Sequence, residues 1–108
     1  MPSDRQTFLR RADECLERVA RFCEGFDADE LDFALTDGVV TLEFRDKTRF
    51  VLNRQTAADQ MWFAAGARAW HYSFDEARQA WLDDRDGHDL LARVAEVVSA
   101  KLGRVVRV

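Results

Sequence analysis

The 108-residue chain has one proline, five glycines and two cysteines, and charges interrupt every apolar stretch. No run approaches the roughly 18 apolar residues of a membrane-spanning helix, so a membrane protein is not expected. The opening residues, Met1 to Arg5, are polar. They carry no signal-peptide core and no transit-type stretch, which makes the cytoplasm the expected location. Cys15 and Cys23 lie eight apart without CxxC spacing or a nearby histidine. Neither a zinc site nor a redox pair is indicated, and on a helix both thiols fall on the side of Phe8, Leu16, Val19 and Phe22, as buried reduced thiols do. Catalytic signatures are also missing. There is no Gly-rich phosphate loop, GxSxG or HExxH, and Ser3, Ser73 and Ser99 have no evident His/Asp partners. His71 and His88 read as lone imidazoles, and no enzyme with its own active site is expected.

What is present is apolar surface and unevenly placed charge. The chain is 47% hydrophobic with eight Phe and three Trp, enough to exclude disorder, and 108 residues suit one domain spanning 1–108. The net charge of −4 hides an asymmetry: residues 1–46 hold twelve acids against six arginines, whereas residues 47–108 hold eight acids against ten bases. Six acids and no base lie from Glu24 to Asp37. An acidic half of this kind argues against nucleic acid and suits cations or a basic partner; a solvated face kept for solubility is the plainer alternative.

Hydrophobic period divides the chain into three parts. From Ser3 to about Gly25, Phe8, Ala12, Cys15, Leu16, Val19, Phe22 and Cys23 recur at helical spacing within an arc of about 120°, while Asp13, Glu17 and Glu24 cluster within about 40° nearly opposite. The middle switches to alternation: Leu31/Phe33/Leu35, Val40/Leu42/Phe44, Phe50/Leu52, Met61/Phe63 and Trp70/Tyr72/Phe74, with Trp81-Leu82 as a possible further strand and Asp37-Gly38 and Asp46-Lys47 as turns. Leu90, Leu91, Val94, Ala95, Val98 and Leu102 restore the helical stripe, with Asp86 or its neighbour as N-cap and Gly103 as the stop. These elements predict an α+β two-layer sandwich: N- and C-terminal helices on one face of an antiparallel sheet of five to six strands.

If Phe50, Leu52, Met61 and Phe63 face the helices, parity sends Asn53, Gln55, Gln60 and Trp62 to the other side. A tryptophan beside amides on a solvated face is typical of a protein-binding hot spot. The alternative is that Trp62 is covered by the segment between Ala64 and Ala69, or is turned inward by a bulge.

The segment from Asn53 to Ala64 matches N-[RK]-Q-x4-Q-[VIM]-W-[LF] at every fixed position, and on these residues the chain resembles the frataxin family in its bacterial branch. Asp37 to Leu42, Trp70-His71-Tyr72, Asp84 to Gly87 and the Leu9 to Asp13 segment extend the resemblance over nearly the whole chain. The resemblance implies an iron-binding protein of iron–sulfur cluster assembly that docks on the cysteine desulfurase and scaffold complex and modulates it, as iron donor or sensor. It places weak surface binding of Fe2+ or Fe3+, with other divalent cations able to substitute, on Asp13, Glu24, Asp27, Asp29, Glu30 and Asp32, to which helical geometry adds Glu17. It places partner contacts on Asn53, Gln55, Gln60, Trp62 and His71, in a monomer with iron-dependent oligomers as a further state. Two other readings compete: a carboxylate-based ferroxidase or iron store, and a metal-independent acidic interaction domain. Ala20, Arg21 and Gly25 stand where closer family members carry acids. Five arginines also match five acids over residues 4–24, so fewer or weaker iron sites are expected, with Glu24 to Asp32 supplying most of the negative potential.

Overall fold

The computed structural model describes residues 4–108; the helix start expected at Ser3 lies outside the described residues. Helix α1 (Asp4–Glu24) leads into strands β1 (Leu31–Thr36), β2 (Val39–Phe44), β3 (Arg49–Gln55), β4 (Gln60–Ala65), β5 (Arg68–Asp75) and β6 (Ala80–Asp83), and helix α2 (Leu90–Leu102) follows. The strands form one antiparallel meander in sequence order, with a single 3-10 turn at Thr56–Ala58 between β3 and β4. Each neighbouring pair keeps an unbroken register, for example Leu52 opposite Phe63 and Phe63 opposite Trp70.

Both helices pack on one face. Phe8, Ala12, Cys15, Leu16, Val19 and Cys23 of α1 and Leu90, Val94 and Val98 of α2 close over Val40, Leu42, Leu52, Met61, Phe63 and Tyr72 as one cluster. Edge-to-face aromatic contacts link the layers, with Phe8 5.9 Å from Trp81 across the helix–sheet boundary and Phe50 between Phe44 and Phe63. The expected apolar alternation of β1 fades along the strand: Leu31 is buried, Phe33 is half-buried and Leu35 is 47% exposed. Phe22 is likewise only half-buried, with its ring edge against Phe26.

Local chemistry fixes the ends of these elements. Gly38 has φ +75, and a Cβ there would lie 3.2 Å from the Arg54 guanidinium, so the β1–β2 turn needs glycine both for its backbone and for the arginine packed on it. The N-cap of α2 is Asp89, whose carboxylate accepts the Ala92 N–H at 2.9 Å. The expected Asp86 lies three residues earlier, in the turn, because Asp83 and Asp86 both bind backbone N–H groups there. Gly103 ends α2 in the left-handed conformation. The tail then folds back: Ser99 and Val106 exchange hydrogen bonds, and Arg104 forks onto Glu30 at 2.6 and 2.7 Å.

Several carboxyls sit below their ordinary range because of such ties. The Arg104 hydrogen bonds lower Glu30, Lys101 and then Thr48 lower Asp46, and Arg11 lowers Glu76. A carboxyl lowered in the folded state stabilises the fold above its unfolded value, about 4.3 for Glu and 3.9 for Asp, and that contribution is lost as pH falls through the folded value. Melting temperature is therefore expected to drop on acidification below about pH 4.5, and to drop less steeply in the double variant Glu30→Gln/Asp46→Asn. Equal acid limbs in thermal melts of the two proteins would refute this assignment.

Candidate functional site

The strand register assembles the predicted sheet-face residues into a patch on the side away from both helices. Asn53 stands opposite Trp62, Gln55 opposite Gln60, and Trp62 opposite His71. The Trp62 indole stacks on the His71 imidazole, with centroids 4.2 Å apart and planes within 16°. Its Nε1–H donates to Gln60 Oε1 at 3.0 Å, and the Gln60 amide donates in turn to Ser73 Oγ and Asp84 Oδ2, each at 3.2 Å. Trp62 is half-buried and held in one orientation by its own neighbours. Neither alternative that would hide it occurs: the β3–β4 and β4–β5 registers contain no bulge, and the segment between Ala64 and Ala69 forms the β4–β5 hairpin. Asn53 makes one long bond, 3.3 Å, to the Arg54 carbonyl, and Gln55 has no side-chain hydrogen bond among the described residues.

The seven predicted metal carboxylates are distributed along α1, the turn after it and β1. Two of them are already paired. Asp13 accepts from Arg54 at 2.9 Å, and the same guanidinium reaches Asp37 at 3.2 Å. Glu30 is held by Arg104. The Asp32 carboxylate accepts the Phe33 N–H, and Asp29 offers its main-chain carbonyl to Arg45. The carboxylates of Glu17, Glu24, Asp27 and Asp29 have no hydrogen-bond or ion-pair partner among the described residues. Among the described residues, no three of the seven bring ligand atoms within 4.8 Å of one another. The seven are thus spread over α1, the turn after it and β1 without gathering into one group.

One group with metal-ligand chemistry does converge, and sequence reasoning passed over it: Asp83, Asp86 and His88 in the β6–α2 turn. Its signal was the spacing of the turn already read at Asp84 to Gly87. Each member is committed locally. Asp83 Oδ1 accepts the Arg85 and Asp86 N–H groups, Asp86 Oδ1 accepts from the His88 backbone and Nδ1, and His88 Nε2 meets the Tyr72 hydroxyl at 2.7 Å. His88 thus bridges the Asp86 carboxylate through Nδ1 and the Tyr72 hydroxyl through Nε2. Burial pushes the Tyr72 phenol well above its usual range. This chain of bonds ties the β6–α2 turn to β6 and to β5. The two thiols are free and buried, each pushed up to about 12 by desolvation.

The arrangement defines a class: an α+β sandwich with two helices on one face of a six-stranded antiparallel meander, a tryptophan among polar side chains on the helix-free face, and carboxylates spread along α1 and β1. The family model for the frataxin-like domain matches residues 1–104. A curated relative from Thioalkalivibrio sulfidiphilus is 40% identical over 102 residues, covering 94% of this chain and 95% of its own. Another from Dechloromonas aromatica is 34% identical over 95% and 96% of the two chains, and both relatives are named iron-sulfur cluster assembly protein CyaY. The chain belongs to the frataxin-like family. Among solved structures, frataxin from Psychromonas ingrahamii superposes with a TM-score of 0.85 at 24% identity, covering 97% of each chain. Trimeric frataxin from Saccharomyces cerevisiae, complexed with ferrous iron, gives a TM-score of 0.75 at 24% identity over 87% of each chain. At that identity the two likenesses establish the shared fold. No helix among the described residues is long and apolar enough to cross a membrane.

The site geometry separates two tryptophans. Trp81 is 6% exposed in the core, so Trp81→Ala is expected to cost about 3–5 kcal/mol in urea unfolding. Trp62→Ala removes a ring from the helix-free face and is expected to cost less than about 1.5 kcal/mol with the far-ultraviolet circular dichroism unchanged. Comparable losses for both would place Trp62 in the core.

Proposed function

We propose that this protein acts in the cytoplasm in iron–sulfur cluster assembly. It docks on a cysteine desulfurase and its scaffold, modulates cluster formation, and carries iron weakly on its ridge without a catalytic site of its own. The observation that carries the docking reading is Trp62: a half-exposed indole fixed by His71 and Gln60 on a flat sheet face, with Asn53 and Gln55 beside it. A large ring already immobilised before binding loses little entropy on association, which is how an aromatic anchor becomes a hot spot. The curated relatives carry the pathway in their names.

The iron reading is supported by the chemistry of the ridge. Asp13, Glu17, Glu24, Asp27, Asp29, Glu30 and Asp32 offer hard oxygen donors suited to Fe2+ or Fe3+, and equally to other divalent cations. Exposure keeps such binding modest and salt-sensitive. Glu17, Glu24, Asp27 and Asp29 are the readiest ligands, because Arg54 and Arg104 compete for Asp13 and Glu30. Basic groups of a partner would compete for the same oxygens, linking cargo to docking in a protein that works as a monomer. A ferroxidase needs an enclosed group of carboxylates around the metal, and these are spread and open to solvent.

Two measurements test the proposal. Trp62→Ala is expected to weaken binding to the desulfurase–scaffold complex by about 2 kcal/mol or more, roughly 30-fold, in calorimetry. Converting Glu24, Asp27, Asp29 and Asp32 to their amides is expected to weaken Fe2+ binding about tenfold or more and to reduce the iron dependence of desulfurase turnover. Unchanged turnover with and without the wild-type protein, each with and without Fe2+, would overturn the role itself.

A further inference from the structure

The meander ends on β1, which has β2 on one side and no strand on the other. The ladder decides which of its backbone groups face the open side. The turn at Asp37-Gly38 closes on the pair Thr36 and Val39, and from there antiparallel pairs that share hydrogen bonds alternate with pairs that do not. Phe44, opposite Leu31, donates its N–H away from β1, to the Thr48 carbonyl. Asp32, Ala34 and Thr36 therefore bond β2, and Leu31, Phe33 and Leu35 aim their N–H and C=O groups outward. Two of the outward donors are satisfied locally, Leu31 N–H by the Asp27 carbonyl at 3.0 Å and Phe33 N–H by the Asp32 carboxylate at 2.9 Å. Leu35 N–H and the carbonyls of Leu31, Phe33 and Leu35 have no partner among the described residues.

Side chains and charge define what fits that edge. Leu35 is 47% exposed and Phe33 is half-buried, so apolar surface accompanies the open backbone. The strand has no proline, lysine or bulge of the kind that blunts sheet edges. Its one charge is Asp32, which repels an acidic strand and attracts a basic one. Of the six acids from Glu24 to Asp37, Arg104 holds Glu30 and Arg54 holds Asp37, leaving Glu24, Asp27, Asp29 and Asp32 without an ion pair among the described residues. Arg45 and Lys47 border this group, and Glu43 pairs with Arg49, so the surroundings of β1 stay net negative. A second copy of this chain would set the same acids against themselves. We propose that β1 accepts an added strand from a partner protein, an extended segment of alternating basic and apolar residues. Its main chain pairs with Leu35 N–H and the outward carbonyls, its apolar side chains cover Phe33 and Leu35, and its bases meet Asp32 and the neighbouring carboxylates. A base that draws Asp32 away also frees Phe33 N–H for a further main-chain bond, so charge and backbone pairing reinforce each other. The edge is separate from the Trp62 face, and the inference stands independently of the role proposed above.

The test titrates the isotope-labelled full chain with the end-blocked peptide KVKVKVK, using EVEVEVE and KGKGKGK as controls for charge and for strand propensity. The expected result is amide shifts along Leu31 to Thr36, slowed amide exchange at Leu35, and intermolecular nuclear Overhauser effects between peptide α-protons and the β1 backbone. Binding should weaken severalfold between about 50 and 250 mM salt and in Asp27→Asn/Asp29→Asn. Leu35→Pro removes the outward N–H without costing β1 a bond to β2, and should lower affinity about tenfold or more with the wild-type spectrum beyond the edge. Leu35→Ala keeps that N–H and should give a smaller loss. Binding of KGKGKGK as tight as that of KVKVKVK would reduce the edge to charge attraction alone and overturn the proposal. So would contacts confined to side chains, equal use of β1 by EVEVEVE, pairing of β1 with a second copy of the chain, or no shift at millimolar peptide.

Discussion

Everything on the surface of this protein follows from the parity of one antiparallel sheet. Because both helices lie on the face carrying Leu42, Leu52, Met61, Phe63 and Tyr72, every intervening residue of the central strands is committed to the other face. A slip of one residue between β3 and β4 would exchange Met61 and Phe63 for Gln60 and Trp62 in the core. The register is held by the connections: a two-residue turn with Gly38 in the left-handed region, and a 3-10 turn closed by Asp59 at φ 53. The exposed tryptophan is therefore a consequence of the same alternation that builds the core.

Apolar burial supplies the main stabilisation, and the ion pairs play a narrower part. Surface pairs contribute about 0–1 kcal/mol each, yet their placement matters because they join elements that the core leaves apart. Arg54, with a side chain 17% exposed, connects β3 to α1 through Asp13 and to the β1–β2 turn through Asp37. Arg104 ties the end of α2 to the turn after α1. Asp86, His88 and Tyr72 do the same between the β6–α2 turn and β5.

Period and turn chemistry made the two helices, five strands with Trp81-Leu82 as a possible sixth, and the parity of Asn53, Gln60, Trp62 and His71 legible in the sequence, since each depends on neighbours within a few positions. What depended on distant partners was not legible. The true cap of α2 is Asp89, because Asp83 and Asp86 are drawn into a turn that also binds His88. Leu35 obeys the alternation of β1 and is still exposed, because alternation specifies a face and not how far the helix layer extends over it. Nothing near Asp13 or Glu30 in the chain announces Arg54 or Arg104, which are 41 and 74 residues away.

Ion pairing changes how the acidity should be read. A guanidinium bound to a carboxylate leaves less negative potential for a cation, so Asp13 and Glu30 contribute to the ridge only when Arg54 and Arg104 let go. Releasing Arg104 frees the tail from the turn, and releasing Arg54 loosens α1 from the strand that carries Asn53 and Gln55. Any cation or basic partner that captures these carboxylates therefore acts against contacts that also order the neighbouring binding face. By contrast, Glu17, Glu24, Asp27 and Asp29 can be neutralised without breaking a bond of the fold. On the reading proposed above, the unpaired carboxylates would take weak, exchangeable ligands, and the paired ones would make binding depend on how strongly a ligand competes with Arg54 and Arg104.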